Sequence, residues 1–328
     1  MLLSDYTTLR LGGPAERFIE ADTDDALMAA VRDADARGEP LLLLAGGSNV
    51  VVGDAGFPGT VVRIATRGIA RDGATLHVAA GESWDALVAQ TVRDGLAGIE
   101  CLSGIPGSVG ATPIQNVGAY GQEVSDTIIS VRALDRRTGA VVDLAPEDCG
   151  FAYRSSGFKR DPEHHVVLRV SFALQHSDGA RPIRYAELAR AVGHDPSLAQ
   201  VREAVLALRA GKGMVLDPRD PDTASAGSFF TNPILDADQL PDGAPGFPQP
   251  DGRVKTSAAW LIQNAGFSRG YGNPDGIALS SKHVLALTNR GRGTTTELLA
   301  LATEIRDRVE ERFGVRLVPE PVFVCARA

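Results

Sequence analysis

A glycine-rich stretch, residues 104–121, constrains this chain more than any other part of it. It reads GIPGSVGATPIQNVGAYG and contains no charged side chain. Glycine tolerates positive φ angles and, because it has no Cβ, lets the backbone come close to another group. An exposed linker would be rich in Ser, Asp, Glu and Lys, whereas Ile105, Val109 and Val117 lie among these glycines. The stretch is therefore predicted to be a packed loop whose backbone amides can hold a phosphate or a polar heterocycle.

Length and composition narrow the class of protein. A chain of 328 residues exceeds one simple core, so two or three domains are expected. The net charge of −8 disfavours general nucleic-acid binding, and the sequence contains neither a long apolar run for a membrane span nor a signal sequence. Cys101, Cys149 and Cys325 are far apart, and the histidines form no HExxH. We therefore expect reduced thiols, no metal site and a cytoplasmic location.

The beginning of the chain has a β-α-β pattern. The segment TLRLGGPAERFIEA predicts one or two strands, and a helix that stops at Gly38 follows Asp22 or Thr23. The apolar run that follows ends in GGSN, residues 46–49, at the carboxyl end of a buried strand. Ligands commonly bind at that edge of an α/β sheet, although a tight turn is the alternative.

The remaining pattern predicts three compact units of mixed helix and strand. Residues from about 66 to 175 are rich in antiparallel strands, with a hairpin in IISVRALDRRTGAVVDL, and a helix spans 198–210. Thr294 and Glu297 form a capping box at the start of a long amphipathic helix. The predicted boundaries are 1–65, 66–200 and 201–316, with a final strand in 317–328 that returns to the first unit.

Three short segments carry residues suited to catalysis. Arg154 in AYRSSGFK can grip a carboxylate, although a surface strand end is the alternative. Ser228 in AGSFFTNP follows a glycine and precedes two phenylalanines, which would direct one hydroxyl into an apolar cavity unless it only caps a turn. Glu320 lies in the apolar segment LVPEPVFV, where burial without a partner favours the protonated form. Its alternative role is an edge-strand charge that prevents aggregation. The usual nucleotide motifs GxGxxG and GxxxxGK[ST] are missing.

Five ordered motifs produce a resemblance to a known family. GGSN, the loop at 104–121, YRSSGFK, AGSFFTNP with SAAWLI, and a terminal PEP segment occur in this order along nearly the whole chain. The chain resembles the UDP-N-acetylenolpyruvoylglucosamine reductase (UDP-N-acetylmuramate dehydrogenase) family of bacterial peptidoglycan precursor synthesis. The resemblance implies an α+β, vanillyl-alcohol-oxidase-like FAD-binding fold of two α+β subdomains, 1–65 and 66–200, plus a third α+β substrate-binding domain.

The resemblance also implies roles for individual residues. The catalytic ones are Arg154, Ser228 and Glu320. Those implied to bind FAD are Gly46, Gly47, Ser48, Asn49, Gly104, Gly107, Ser108, Gly110, Ala111, Asn116 and Gly121. Those implied to bind substrate are Tyr153, Tyr185, Lys212, Asn232 and Asn264. Tyr185, in RYAEL, matches the type of the family whose tyrosine loop closes over the UDP moiety.

The implied reaction is the NADPH-dependent reduction of UDP-N-acetylglucosamine enolpyruvate to UDP-N-acetylmuramate through FAD. Hydride passes from flavin N5 to the β-carbon of the enolpyruvyl ether. Arg154 and Glu320 stabilise the resulting enediolate, and Ser228 protonates the α-carbon. The expected partners are the substrate and NADPH, and we expect a monomer. The alternatives are another oxidase or dehydrogenase of the same FAD-binding fold, or a non-catalytic FAD- or nucleotide-binding regulator.

Overall fold

The computed structural model describes residues 1–326. Contacts within it divide the chain into two compact units. Unit 1 contains Met1 and residues 15–46 and 58–210, and unit 2 contains residues 2–14, 47–57 and 211–328. The three-domain division stays a prediction, and positions 327 and 328 of the predicted final strand lie outside the described residues.

Helices and strands alternate through both units. The helices are α1 (Asp24–Arg37), α2 (Trp84–Arg93), α3 (Thr112–Gln115), α4 (Gly157–Arg160), α5 (Ala186–Val192), α6 (Leu198–Ala210), α7 (Ala258–Asn264) and α8 (Thr295–Phe313). The strands of the first half are β1 (Ala15–Ala21), β2 (Leu41–Leu44), β3 (Val50–Val52), β4 (Phe57–Ile64), β5 (Ile69–Asp72), β6 (Thr75–Ala79), β7 (Leu96–Ala97), β8 (Gly118–Ala119), β9 (Gln122–Glu123) and β10 (Ile128–Asp135). Those of the second half are β11 (Val141–Leu144), β12 (His165–Ala173), β13 (Gln175–His176), β14 (Ile234–Leu235), β15 (Gly246–Pro248), β16 (Val254–Thr256), β17 (Ile277–Leu279), β18 (Leu287–Asn289) and β19 (Val322–Val324). This mixture confirms the predicted α+β class.

The two larger sheets of unit 1 have three and five strands. The first has the strand order β1-β4-β2, with β2 and β4 parallel, and the second has the order β11-β10-β12-β6-β5 with antiparallel pairings. Helix α1 is capped at its start by Thr23, whose hydroxyl accepts the amide hydrogen of Ala26, and at its end by Gly38 with φ 62°. Both ends lie where the sequence predicts them. The side-chain oxygen of Thr23 and the left-handed glycine provide hydrogen bonds for the terminal backbone groups of the helix. The predicted hairpin is confirmed as β10 and β11, and the helix at 198–210 is confirmed as α6.

Unit 2 is organised around α8 and the parallel pair formed by β19 and β3. The capping box of Thr294 and Glu297 is present at the start of α8. The carboxylate of Asp54, just after β3, also accepts hydrogen bonds from the amides of Thr295 and Thr296 at 2.7 and 2.9 Å. A carboxylate at a helix N-terminus is stabilised by unpaired amides and by the helix dipole. This contact explains why residues 47–57 belong to unit 2.

Two predicted strand regions form shorter strands than expected. Within TLRLGGPAERFIEA only the part from Ala15 forms a strand, because Arg10 has a φ of 53° and interrupts any extended run. Leu9 and Leu11 are both buried, so the segment packs as an irregular piece of the unit 2 core. In the described part of the predicted final strand, the strand is limited to β19, with one bridge at Pro319. In the described part of the chain, no helix has the length and apolar character to cross a bilayer.

Candidate functional site

Two glycine motifs meet in unit 1. A Cβ placed on Gly46 would lie 2.6 Å from the Cα of Gly107, which no real side chain tolerates. Gly107 also has a φ of 117°, a conformation that L side chains rarely adopt. The structure thus brings the end of the strand that precedes GGSN against the loop at 104–121. Both positions require glycine for steric reasons.

The glycine loop is held by hydrogen bonds to the rest of unit 1. The amides of Val109 and Gly110 donate to the carbonyls of Glu82 and Ala80 at 2.9 and 2.8 Å. The amide of Gly104 donates to the Asp85 carboxylate at 2.6 Å. These three amides therefore maintain the loop's own conformation. They are therefore not available for the ligand binding that the sequence predicted for successive amides of the loop.

Asp85 is itself held by an arginine from another helix. Both terminal guanidinium nitrogens of Arg202 on α6 donate to the Asp85 carboxylate, at 2.7 and 2.9 Å. Burial acts to raise the pKa of Asp85, but the hydrogen bonds from Arg202 and Gly104 outweigh it and keep the pKa below its usual value. A bidentate ion pair thus fixes the first residue of the glycine loop.

A buried carboxylate links the two ends of the same loop. Glu100 is fully buried, accepts the amide hydrogen of Gly98 at 2.6 Å, and accepts a side-chain hydrogen bond from Gln122 at 2.9 Å. The side-chain oxygen of Gln122 in turn accepts the amide hydrogen of Cys101. Because Glu100 precedes the loop and Gln122 follows it, these bonds close its base.

The middle of the loop contains an unsatisfied hydroxyl. The Oγ of Ser108 is buried, and within residues 1–326 it has no hydrogen-bond partner. A buried polar atom without a partner costs free energy, so native proteins rarely keep one without a function. Ser108 lies beside Gly107 where the two glycine motifs touch. A cofactor with polar atoms therefore fits these residues.

Arg154 packs directly against the glycine loop. Its guanidinium donates to the carbonyl of Gly118 and, at 3.5 Å, to the carbonyl of Asn116. Asn116 is almost fully buried and donates to Glu123 and to the carbonyl of Ala152, both at 3.0 Å. Asn116 and Arg154 both have positive φ angles, 44° and 51°. Such strain in residues other than glycine is concentrated at functional sites.

Two predicted substrate tyrosines also lie in unit 1. Tyr153 is 37% exposed, and its ring lies 5.2 Å from the guanidinium carbon of Arg154. Tyr185 is 46% exposed, and its ring makes an edge-to-face contact with Tyr120 of the glycine loop at 5.3 Å between centroids. Tyr185 immediately precedes α5. The tyrosine loop thus contacts the segment predicted to bind the cofactor.

The remaining residues of GGSN lie in unit 2. Gly47 has a φ of 61°, and a Cβ there would lie 1.9 Å from the carbonyl oxygen of Tyr6. Its own carbonyl accepts the amide hydrogen of Thr8 at 2.9 Å. The carbonyl of Asn49 accepts the amide hydrogen of Val322, and Ser48 lies half-buried between these two positions. The motif is therefore tied to the N-terminal segment and to β19.

Unit 2 brings together two of the predicted catalytic segments. Phe230 forms an isolated antiparallel bridge with Pro319, and the amide of Glu320 donates to the carbonyl of Phe229 at 2.9 Å. Phe229 and Phe230 are fully buried in the core of unit 2. Ser228 directly precedes them and is half-buried, as is Glu320. Two segments distant in the sequence thus place a hydroxyl and a carboxyl on paired backbones.

Three predicted substrate residues occupy separate places in unit 2. The side-chain oxygen of Asn232 accepts the amide hydrogen of Ala258 at 3.0 Å, which satisfies the first residue of α7. Asn264 is exposed and donates to the carbonyl of Trp260 within the same helix. Lys212 is half-buried just after α6. Their predicted roles in binding substrate stay predictions.

The cysteines and histidines match ordinary structural uses. Burial raises the pKa of the Cys101 thiol to about 12, and the nearby charge of Glu100 adds to the increase. Asp135, His164 and His165 could together offer ligands to a metal, but the guanidinium of Arg137 lies 3.5 Å from the Nδ1 of His164 and opposes a cation there. The expectation of no metal stays a prediction.

Comparison with known proteins decides the family. A family model described as FAD binding domain matches residues 15–145, and one described as the C-terminal domain of UDP-N-acetylenolpyruvoylglucosamine reductase matches residues 218–324. The UDP-N-acetylenolpyruvoylglucosamine reductase of Streptomyces coelicolor is 59% identical over 340 residues, which cover 98% of this chain and 88% of the relative. The chain belongs to the UDP-N-acetylenolpyruvoylglucosamine reductase family. The protein of the same name from Saccharopolyspora erythraea is 57% identical over 348 residues, covering 99% and 95% of the two chains.

A solved structure agrees with this family. The crystal structure of the reductase from Thermus caldophilus matches with a TM-score of 0.69 at 29% identity, covering 99% of this chain and 97% of that one. The family and its FAD binding domain confirm the predicted FAD-binding fold. They also confirm an FAD-dependent oxidoreductase of peptidoglycan precursor synthesis, with FAD as its cofactor.

Except for Arg154 and Asn116, the residues that support the glycine loop were not among the predicted site residues. Asp85 and Arg202 lie on separate helices, and no local pattern pairs them. Glu100 left a signal, because it is the single charge in the apolar run GLAGIECLSG before the loop. A carboxylate in such a run predicts a buried and hydrogen-bonded group.

Proposed function

We propose that this chain reduces UDP-N-acetylglucosamine enolpyruvate to UDP-N-acetylmuramate, with NADPH as the hydride donor. The observation that carries this proposal is the backbone pairing in unit 2 of the segments that contain Ser228 and Glu320. Reduction of an enolpyruvyl double bond needs a proton donor and a group that stabilises negative charge. The pairing supplies both residue types on one rigid support. Membership of the reductase family supports the choice of substrate.

The residues that would hold FAD come from both glycine motifs. They are Gly46, Gly47, Ser48, Asn49, Gly104, Gly107, Ser108, Gly110, Ala111, Asn116 and Gly121. The steric need for glycine at 46 and 107 and the unsatisfied hydroxyl of Ser108 support this assignment. The chemistry that bound FAD supplies is hydride transfer, from NADPH to flavin N5 and then to the β-carbon of the enolpyruvyl ether.

The chain's own residues stabilise charge and move one proton. Arg154 binds the substrate carboxylate, where negative charge accumulates as the α-carbon becomes enediolate-like. Glu320 would donate a hydrogen bond to the same group. Ser228 transfers its hydroxyl proton to the α-carbon, which completes the saturation of the double bond. The resulting alkoxide is then reprotonated from solvent.

Further residues would position the substrate. Tyr185 closes over the UDP moiety, and its contact with Tyr120 supports a closed position next to the glycine loop. Tyr153, Lys212, Asn232 and Asn264 complete the proposed substrate contacts. A cytoplasmic monomer remains part of the proposal.

Anaerobic flavin absorbance tests this function directly. The FAD-loaded protein is bleached with NADPH, and the enolpyruvyl ether of UDP-N-acetylglucosamine is then added. Prompt return of the oxidised spectrum is the expected result, because both half-reactions must then occur. Bleaching without recovery would remove the substrate assignment. Rapid reoxidation in air combined with no response to the ether would favour an oxidase of the same fold.

A further inference from the structure

A cavity of about 250 Å³ lies in unit 2, and its lining contains none of the residues assigned above. Arg10, Arg219 and Arg290 are in its lining, together with Asp220. Pockets for drug-sized ligands are larger, roughly 300–1,000 Å³. Guanidinium groups bind phosphate and carboxylate through paired N–H donors. The size and lining of the cavity therefore favour a small anionic group.

One buried side chain joins two walls of the cavity. Asn289 is 5% exposed, and its side-chain nitrogen donates to the carbonyls of Leu9 and Arg10 at 3.0 and 3.3 Å. Its side-chain oxygen accepts the amide hydrogens of Gly291 and Gly293 at 2.9 and 3.0 Å. The N-terminal segment and the loop after β18 are thus fixed to each other. The Asn289 side-chain amide thus uses four hydrogen bonds to hold together two segments that contribute residues to the cavity lining.

Arg10 is held in a strained conformation. Its φ of 53° lies in the left-handed region, which is unfavourable for a residue other than glycine. Asn289 maintains this conformation through the carbonyl of Arg10. Within residues 1–326 the Arg10 guanidinium has neither a hydrogen bond nor an ion pair. The strained backbone therefore holds Arg10 in the cavity lining, where its guanidinium makes no structural hydrogen bond or ion pair within residues 1–326.

The carboxylates around the cavity are already neutralised. Each of three aspartates near it is paired with a cation. The pairs are Asp217 with Arg219, Asp220 with Lys282, and Asp222 with Arg290. Asp222 is almost fully buried and also accepts hydrogen bonds from Ser281. With these charges balanced in pairs, Arg10 adds a net positive charge to the lining.

We propose that this cavity binds a phosphate dianion through Arg10 and Arg290, which both line it. The phosphate is either free in solution or the phosphomonoester of a nucleotide. Arg290 is the more buried of the two cations, and its salt bridge to Asp222 fixes its orientation. The proposal goes beyond the reductase reaction and does not depend on it.

Calorimetric titration with inorganic phosphate tests the site on the FAD-loaded protein at low ionic strength. One saturable phosphate per chain is expected. Arg10→Gln should weaken the affinity by about tenfold or more, because a charge-assisted contact is lost. Arg253→Gln is the matched control, since Arg253 is an exposed arginine of the same unit outside the cavity. No saturable binding, or equal affinity in Arg10→Gln, would overturn the proposal.

A second variant separates loss of binding from loss of folding. Arg10→Gly removes the cation and places at φ 53° the residue that tolerates it best, so the protein should stay folded. It should lose phosphate binding to the same degree as Arg10→Gln. Lys212→Gln tests the competing location, the proposed substrate site. If Lys212→Gln abolishes phosphate binding and Arg10→Gly keeps it, the cavity is not the phosphate site.

Nucleotide competition identifies the source of the phosphate. One outcome is that 2′,5′-ADP displaces inorganic phosphate, that 5′-AMP does not, and that Arg10→Gly abolishes this displacement. This outcome would identify the ligand of the cavity as the 2′-phosphate of a dinucleotide. Failure of both nucleotides to displace it would assign free phosphate, and either result keeps the site. Because the measurement is binding heat without turnover, its failure leaves the proposed reductase reaction unaffected.

Discussion

The glycine loop of unit 1 and the paired segments of unit 2 are supported in opposite ways. The loop contains no charge, yet ionic and polar groups hold it from outside: Asp85, Arg202, Glu100 and Arg154. The Ser228 and Glu320 segments contain the polar groups themselves and rest on an apolar core. In the proposed function the loop binds the cofactor, and its conformation is held by contacts from residues outside it.

This difference predicts which kind of substitution should destabilise each region. A polar support loses its contribution when one partner is removed, because the other is left buried without compensation. An apolar support loses its contribution in proportion to the cavity that a smaller side chain leaves. Substitutions in unit 1 should therefore respond to charge and pH, whereas those beneath Ser228 should respond to volume.

The largest effect on activity is expected when the Ser228 hydroxyl of unit 2 is removed. Ser228→Ala should slow product formation by about 10²–10⁴-fold while flavin reduction by NADPH stays nearly intact, because only the second half-reaction needs the proton. Anaerobic stopped-flow absorbance measures the two half-reactions separately. Ser225→Ala, which removes a hydroxyl from the same loop, is the control. Equal slowing of both half-reactions would contradict a proton-donor role.

The apolar support of unit 2 should show a volume effect. Phe229→Ala should cost about 3–5 kcal/mol of stability through the lost contacts and the cavity, and lower the melting temperature. Phe247→Ala, at a phenylalanine of the same unit that is 53% exposed, should change stability by about 0.5 kcal/mol at most. Equal melting temperatures for the two variants would show that Phe229 does not support the Ser228 segment.

The polar support of unit 1 should show a charge effect. Arg202→Met keeps much of the volume but leaves Asp85 without its partner, so FAD binding should weaken by about 1–3 kcal/mol. Arg202→Lys should restore part of the loss. Arg132→Met is the matched control because Arg132 forms a similar two-nitrogen pair with Asp143 on the exposed surface. Fluorescence of released FAD measures the affinity, and a loss as large in Arg132→Met would remove the special role of Arg202.

The same pair predicts an acid limit for the loop. The pKa of Asp85 is lower in the folded chain than its usual 3.8. Its contribution to stability is therefore complete above 3.8 and is lost as the pH falls through the lowered pKa. Retention of FAD should decline over that range in the wild type. In Asp85→Asn this part of the pH dependence should be missing.

The smallest effect is expected at the tyrosine loop. Tyr185→Phe keeps the ring contact with Tyr120 but removes the hydroxyl, so KM for the UDP substrate should rise by about 3- to 10-fold. The flavin spectrum should not change. Tyr271→Phe, whose hydroxyl bonds to Glu304 in unit 2, is the control. An unchanged KM in Tyr185→Phe would count against its closure over the UDP moiety.

Local chemistry made much of the fold predictable. The limits of α1 and α6 and the start of α8 follow from caps and apolar periodicity, which are encoded by neighbouring residues. The segment around Arg10 was less predictable. Its alternating pattern suits a strand, but the Asn289 side chain donates hydrogen bonds to its backbone carbonyls and holds it in another conformation. A contact with a residue far along the chain overrode the local preference.

The sequence by itself determined the family and the cofactor, and it indicated a segment rich in glycine. Ordered motifs and backbone sterics depend on residue identity, which the sequence states directly. The tertiary structure alone decided which distant residues meet: Asp85 with Arg202, Arg154 with the glycine loop, and the Ser228 segment with that of Glu320. Such pairings depend on the packing of whole elements, and no local pattern records which side chains that packing brings together.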